Sequence, residues 1–297
     1  MPYDPADFDQ QLEVFFGRTS DAVAYVYARL PGVAADGSWQ LRGQLTGPLC
    51  RYAETLPAHL PLVDRGAGPS LLAAATVPEP CYWTPEMPHL YDVEVELLRG
   101  NKAVANARRV FGFRNLGAAG GKLLYDGKRW VLRAVMAEEV PPAALIDWRD
   151  ASAAMVVSSL TDALCEEASR VGVLLVAEIA TADVGEVRRL SRWPAVGIAL
   201  LPRDEQLVAN ACALGHNLLL AERFSVAEPI SLSNGISVAL VEVDSTNGLA
   251  SRIASCQVAL IAVRAGGPFA GVAQGRGACD ALQRDLAGRG DWSGYIV

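Results

Sequence analysis

Histidine is scarce in this chain of 297 residues, with only His59, His89 and His216, and none adjoins another histidine or a cysteine. A zinc site needs three or four clustered ligands, so no metal is expected. The six cysteines (Cys50, Cys81, Cys165, Cys212, Cys256 and Cys279) are scattered without a CxxC pair. That spacing offers neither a metal framework nor a disulfide scaffold, and the expectation is reduced, mostly buried thiols in a cytoplasmic protein. Positive charge is in deficit: the formal net charge is −7 and no basic stripe carries interleaved aromatics. Nucleic acid and anionic membrane surfaces are therefore poor partners. No apolar run approaches the roughly 20 residues of a membrane span. The opening MPYDPADFDQQLEVFFGR lacks the basic start and apolar stretch of a signal peptide. Neither GxxxxGK[ST] nor GxGxxG occurs, so no nucleotide cofactor is expected, and the glycine-rich 264–277 reads as a loop. Ser158-Ser159 and Ser231-Leu232-Ser233 have no nearby histidine to act as base, which argues against a Ser-His-Asp triad.

What is present is a globule, 51% hydrophobic and 20% charged, long enough for two domains. Residues 1–20 read as a polar lead, with one helix over DFDQQLEVFFG. Residues 21–117 carry short β-like runs separated by PG, DG, PEP, PEMP and GN breaks. In LYDVEVELL, Tyr91, Val93, Val95 and Leu97 share one face while Asp92, Glu94 and Glu96 share the other, the pattern of a half-buried antiparallel strand. Five to seven such strands predict an immunoglobulin-like β-sandwich.

The rhythm changes after Gly117–Lys122. Across 118–297, eight apolar runs (WVLRAVMA, AAMVVSS, VGVLLVAEI, AVGIALLP, GHNLLLAE, ISVALVEVD, QVALIAVRA and WSGYIV) alternate with mostly amphipathic stretches. In LTDALCEEASR, Leu160, Ala163, Leu164 and Ala168 fall on one helical face. Buried strands alternating with helices indicate a parallel sheet, and eight repeats of about 20 residues predict a compact (β/α)8 TIM-type barrel. The first crossover, VPPAALIDWRD, is broken by prolines, and closure there is left open.

Three segments at the joint are specific: YWTPEMPHLYDVEVEL (82–97), RRVFGFRNL (108–116) and GGKLLYDGKRWVLRAV (120–135). They resemble the sandwich–barrel junction of family 2 glycoside hydrolases, the β-galactosidase and β-glucuronidase family. Trp83, Pro85, Pro88, Leu90, Tyr91, Gly112, Phe113, Arg114, Gly127, Lys128, Leu132 and Arg133 hold the family pattern. Weaker similarities follow at 164–179, 192–205 and 291–297. The family's sugar-binding jelly-roll domain has no counterpart here, so the resemblance is to a truncated and degenerate form.

The resemblance implies two catalytic glutamates, at the ends of barrel strands 4 and 7, and a retaining mechanism needs them about 5 Å apart. Counting from Pro194, the family's Asn-Glu pair falls on Arg203 and Asp204, with Glu205 next. At strand 7, QVALIAVRAGGPFAG carries no acid, and Arg264 sits near its end. The family's Asn-Arg-His after strand 1 reads Met136-Ala137-Glu138, and its Arg-x-x-His at strand 2 reads Val156-Val157-Ser158-Ser159. Apolar residues cannot hydrogen-bond sugar hydroxyls in their place. These losses together predict a pseudoenzyme.

Polar residues still mark the expected strand ends, the face that carries active sites in barrel enzymes. Asp204, Glu205 and Glu242 are the candidate catalytic residues, with Asp204 and Glu242 as an inverting pair. Arg133, Glu178, Glu222, Arg223, Asp244 and Arg264 are candidate ligand contacts. The competing account is helix capping and internal salt bridges, since Asp204-Glu205 and Asp244-Ser245 precede helices where acids are favoured. The expected function is interaction with a protein partner, or scaffolding as a homo-oligomer. Carbohydrate binding without cleavage, with Trp193 near the barrel top, and hydrolysis by a relocated carboxylate pair are the alternatives.

Overall fold

The computed structural model describes residues 3–181, 183–214, 217–225, 229–243, 249, 253 and 256–297. The chain divides into two compact units, residues 1–114 and 115–297.

The first unit is a curled antiparallel sheet of seven strands: β1 (Glu13–Thr19), β2 (Val23–Leu30), β3 (Trp39–Leu49), β4 (Ala58–Asp64), β5 (Leu71–Pro78), β6 (Leu90–Arg99) and β7 (Lys102–Phe111). Their spatial order is β1-β2-β5-β4-β3-β6-β7. The curl turns at β4, which pairs with β3 through Ala58–Leu62 and then with β5 through Val63 and Asp64. Alternation builds the core. Ala24, Val26, Ala28 and Leu30 of β2 face Tyr91, Val93, Val95 and Leu97 of β6 inside one buried cluster, and each fully buried side chain of the larger kind stabilises by about 1.5–3 kcal/mol. Phe113 closes the cluster, edge-on to Tyr91 and Phe111 at 5.1 and 5.2 Å between ring centroids. The N-terminal helix is shorter than the sequence pattern predicts. Only Phe8–Gln11 (α1) is helical, and Leu12 turns extended. Val14, Phe15 and Phe16, β-branched or aromatic, instead pair with β2 as an edge strand.

The second unit opens with a small antiparallel sheet, β8 (Leu116–Ala119), β9 (Lys122–Tyr125) and β10 (Lys128–Arg129). Its two tight turns run through Gly120-Gly121 and Asp126-Gly127, all four at positive φ, which suits hairpin turns. Eight parallel strands then close into a barrel: β11 (Leu132–Met136), β12 (Ala154–Val157), β13 (Leu175–Glu178), β14 (Val196–Leu201), β15 (Leu219–Ser225), β16 (Val238–Glu242), β17 (Ala259–Val263) and β18 (Trp292–Ile296). The proline-broken crossover does not prevent closure: β11 pairs with β12 on one side and β18 on the other. That crossover keeps only a short helix, α2 (Leu145–Asp150). The other described helices are α3 (Asp162–Val171), α4 (Val184–Leu190), α5 (Glu205–Leu214) and α6 (Val272–Asp285). The predicted helix over NGLASRIAS falls largely outside the described residues. No helix of the described residues is long and apolar enough to cross a membrane.

The pairing register settles which side chains point inward. Leu132 and Ala134 of β11 stand level with Gly294 and Ile296 of β18, and a Cβ on Gly294 would come within 2.8 Å of the Leu132 Cβ and 3.2 Å of Ile261. Arg133 and Val135 point the other way, onto α6, where Val135 lies against Gly275. Followed around the ladder, this phase places Val156, Glu178, Leu200, Arg223, Glu242 and Val263 on the inner face near the carboxyl ends of their strands.

Candidate functional site

The polar residues at the barrel mouth rise from three of those inward positions. Glu178 ends β13 and Arg223 lies in β15, two strands away, yet their side chains meet at 3.2 Å from carboxylate Oε1 to guanidinium Nη2. Two residues on non-adjacent strands can touch only across the barrel interior, which agrees with the register. Both are about one-third exposed, at 36% and 32%. The contact is ionic rather than an aligned hydrogen bond, because Arg223 Nε and Nη2 have no hydrogen-bonding partner among the described residues. Glu242 ends β16, half-buried, on the same inner face. Among the described residues, these inward positions supply two carboxylates and one guanidinium.

Beside them lies an open cleft of about 680 Å³, lined by Ala137, Glu138, Glu139, Ser158 and Ser159. These residues directly follow β11 and β12, the neighbouring strands where the family resemblance places binding groups. The sequence reading noted Glu138 as a loss, Ser158 and Ser159 as losses and as an unsupported triad serine pair, and passed over Glu139. Polar side chains immediately after two adjacent strands were the available signal.

The other candidates are held elsewhere. Asp204 caps α5: its Oδ1 accepts from the backbone N–H groups of Gln206 at 2.9 Å and Leu207 at 3.0 Å. Glu205 occupies the first turn of that helix, exposed, where a negative charge complements the helix dipole. Arg203 lies over the Phe224 ring at 4.3 Å. Arg133 faces α6, donating to Asp280 at 2.9 Å and Gln283 at 2.7 Å. Arg276, together with Arg133, holds the Asp280 carboxyl below the usual carboxylate range through hydrogen bonds and charge. Arg264 pairs with Asp285 at the end of α6, 2.7 Å away. Glu222 sits mid-strand rather than at a strand end, because β15 continues to Ser225. It faces away from the barrel axis and is fully buried; its Oε2 accepts from the Ser233 N–H at 3.3 Å, and its Oε1 has no hydrogen-bond partner among the described residues. Trp193 follows α4 and precedes β14, which puts it at the amino end of the barrel strands, opposite the mouth. Asp244 lies outside the described residues.

Among the described residues no group of three or more His, Cys, Asp or Glu side chains could hold a metal ion. Burial pushes the Cys165 thiol up to about 12 and the Cys279 thiol up to about 11. Each is a buried residue of a helix, Cys165 of α3 and Cys279 of α6, so neither is poised as a nucleophile.

Residues 54–114 match the family model described as glycosyl hydrolases family 2. No curated protein is matched by the sequence. Three solved structures share the fold. A β-glucuronidase from Bacteroides uniformis superposes with a TM-score of 0.67 at 16% identity, covering 96% of this chain and 45% of that one. A family 2 glycosyl hydrolase from Bacteroides cellulosilyticus DSM 14838 gives 0.66 at 14%, covering 97% and 45%. The Parabacteroides merdae β-glucuronidase, with glycerol in its active site, gives 0.61 at 14%, covering 96% and 46%. This chain therefore spans less than half the length of these proteins. The resemblance read from residues 82–135 is met twice, by the family model and by the shared sandwich-and-barrel fold.

Proposed function

We propose that this chain, which has the fold of the family 2 glycosyl hydrolases and a segment matching their family model, is a non-catalytic relative acting in protein interaction or as a scaffold. The observation that carries this reading is the pair of strand ends where the family resemblance expects glutamates. On β17 the last inward position is Val263, and Arg264 after it turns outward to Asp285. On β14 the inward residue is Leu200, buried, and the next carboxylate along the chain, Asp204, is occupied in capping α5. A retaining mechanism needs two carboxylates about 5 Å apart facing one cavity, and neither expected position supplies one.

Incubating the purified protein with a panel of nitrophenyl glycosides tests this, with Asp204→Asn and Glu242→Gln as controls. Silence across the panel is expected. Turnover lost in either variant would establish a relocated carboxylate mechanism and overturn the reading.

The cleft beside β11 and β12 favours a second reading, carbohydrate binding without cleavage. Its carboxylates and hydroxyls can hydrogen-bond sugar hydroxyls. Retention of a saccharide on a glycan array, lost in Glu138→Ala and Ser158→Ala, is the expected result. An array without signal would remove this second reading.

A further inference from the structure

Two half-buried cysteines of the first unit are brought to one end of its sheet by strands remote in sequence. Cys50 directly follows β3, and Cys81 follows β5 by three residues. Strand β4 runs antiparallel to both, pairing Ala58 with Gly47 and Val63 with Ala74. The carboxyl ends of β3 and β5 therefore point toward the same end of the sheet, the end at which β4 begins. Tyr91 of β6 draws the two segments closer. Its hydroxyl accepts from the Cys81 N–H at 2.9 Å. Its ring lies so near Gly47 that a Cβ there would stand 2.5 Å from the ring. The register of β3 against β6 then shifts between Thr46 and Leu49, after which Leu49 stands opposite Leu90, the neighbour of Tyr91. One fully buried tyrosine thus contacts the backbone of Cys81 and packs against β3 three residues before Cys50.

We propose that Cys50 and Cys81 form a reversible disulfide that ties the end of β3 to the end of β5. The oxidant is a low-molecular-weight disulfide, such as oxidised glutathione. The Cys50 thiolate attacks the glutathione disulfide, forming a mixed disulfide and expelling one glutathione thiolate. Cys81 then gives up its proton and attacks the Cys50 sulfur, and the second glutathione thiolate leaves. Two protein thiols are oxidised and one disulfide is reduced to two thiols, with the two cysteine protons passing to glutathione. Cys50 attacks first because burial, with the nearby Cys50 adding to it, pushes the Cys81 thiol up and depletes its thiolate. The second step is intramolecular, so its rate depends on the approach of the strand ends rather than on glutathione concentration.

The test equilibrates the full chain, natively folded, with graded ratios of oxidised to reduced glutathione, followed by proteolysis without reductant and mass spectrometry. A cross-linked peptide pair containing Cys50 and Cys81, lighter by two hydrogens and restored by reductant, is the expected result. In Cys81→Ser the Cys50 thiol should accumulate as the glutathione adduct, whereas in Cys50→Ser the Cys81 thiol should stay free. Absence of the linked pair in the wild-type chain would overturn the proposal, whether the thiols stay free or carry separate glutathiones. A link that forms only after unfolding in urea would overturn it equally.

Discussion

Arg223 reaches from β15 past β14 to Glu178 on β13, bringing a guanidinium and a carboxylate to 3.2 Å at the barrel mouth. The family of folds to which this barrel is similar includes proteins described as β-glucuronidases. In this chain the mouth carries a guanidinium paired with a carboxylate, and Glu242 stands on the same inner face.

Both side chains of the Glu178–Arg223 contact are about one-third exposed, which limits its worth. A double-mutant cycle with Glu178→Gln and Arg223→Gln should give a coupling of about 0.5 kcal/mol, shrinking at high salt. Urea unfolding of the four proteins at low and high salt measures it. A coupling of several kcal/mol, unaffected by salt, would mean the pair is enclosed rather than solvated.

Asp204 has a structural duty that distinguishes two substitutions. Asp204→Ala removes the acceptor for two backbone N–H groups and should cost about 1 kcal/mol. Asp204→Asn keeps an acceptor oxygen at a position where asparagine caps nearly as well, so its cost should stay within a few tenths of that scale. Denaturant midpoints compare them directly. Equal losses in both variants would show that the charge, not the cap, is what Asp204 supplies.

His89 should make stability fall with acid. Burial holds its imidazole below the ordinary value, and its buried Nδ1 has no hydrogen-bond partner among the described residues. The unfolded chain takes up this proton near pH 6.5, whereas the folded chain takes it up only at lower pH. Unfolding therefore binds a proton in that window, and stability is fully present above about pH 6.5 and lost as pH falls to the folded value. A His89→Gln variant should show a flatter profile between pH 7.5 and about 5 in urea titrations. Parallel wild-type and variant profiles would mean that the ring is solvated when folded.

Much of the architecture was legible because each unit writes its burial plainly. In β6, one face meets the core and the other meets water, so Tyr91, Val93, Val95 and Leu97 alternate with Asp92, Glu94 and Glu96. The eight apolar runs of the barrel each coincide with a strand, since parallel strands buried on both faces read as unbroken hydrophobic segments. The acidic start of α5 was equally visible as a cap, and the structure shows Asp204 in that role.

Those same barrel runs hide their phase. A strand buried on both faces has no alternation to say which residues look inward, so Leu132 and Arg133, or Glu222 and Arg223, are equivalent in the sequence. Closure of the ladder decided between them. It turned Arg133 and Arg264 outward onto α6, enclosed Glu222 behind the strand wall, and left Glu178, Arg223 and Glu242 on the inner face. Composition and periodicity determined by themselves that a β-sandwich precedes a (β/α)8 barrel, because hydrophobic burial is written residue by residue. Which charges share the mouth was decided only by tertiary structure, because inward and outward are defined by neighbouring strands that lie far away along the chain.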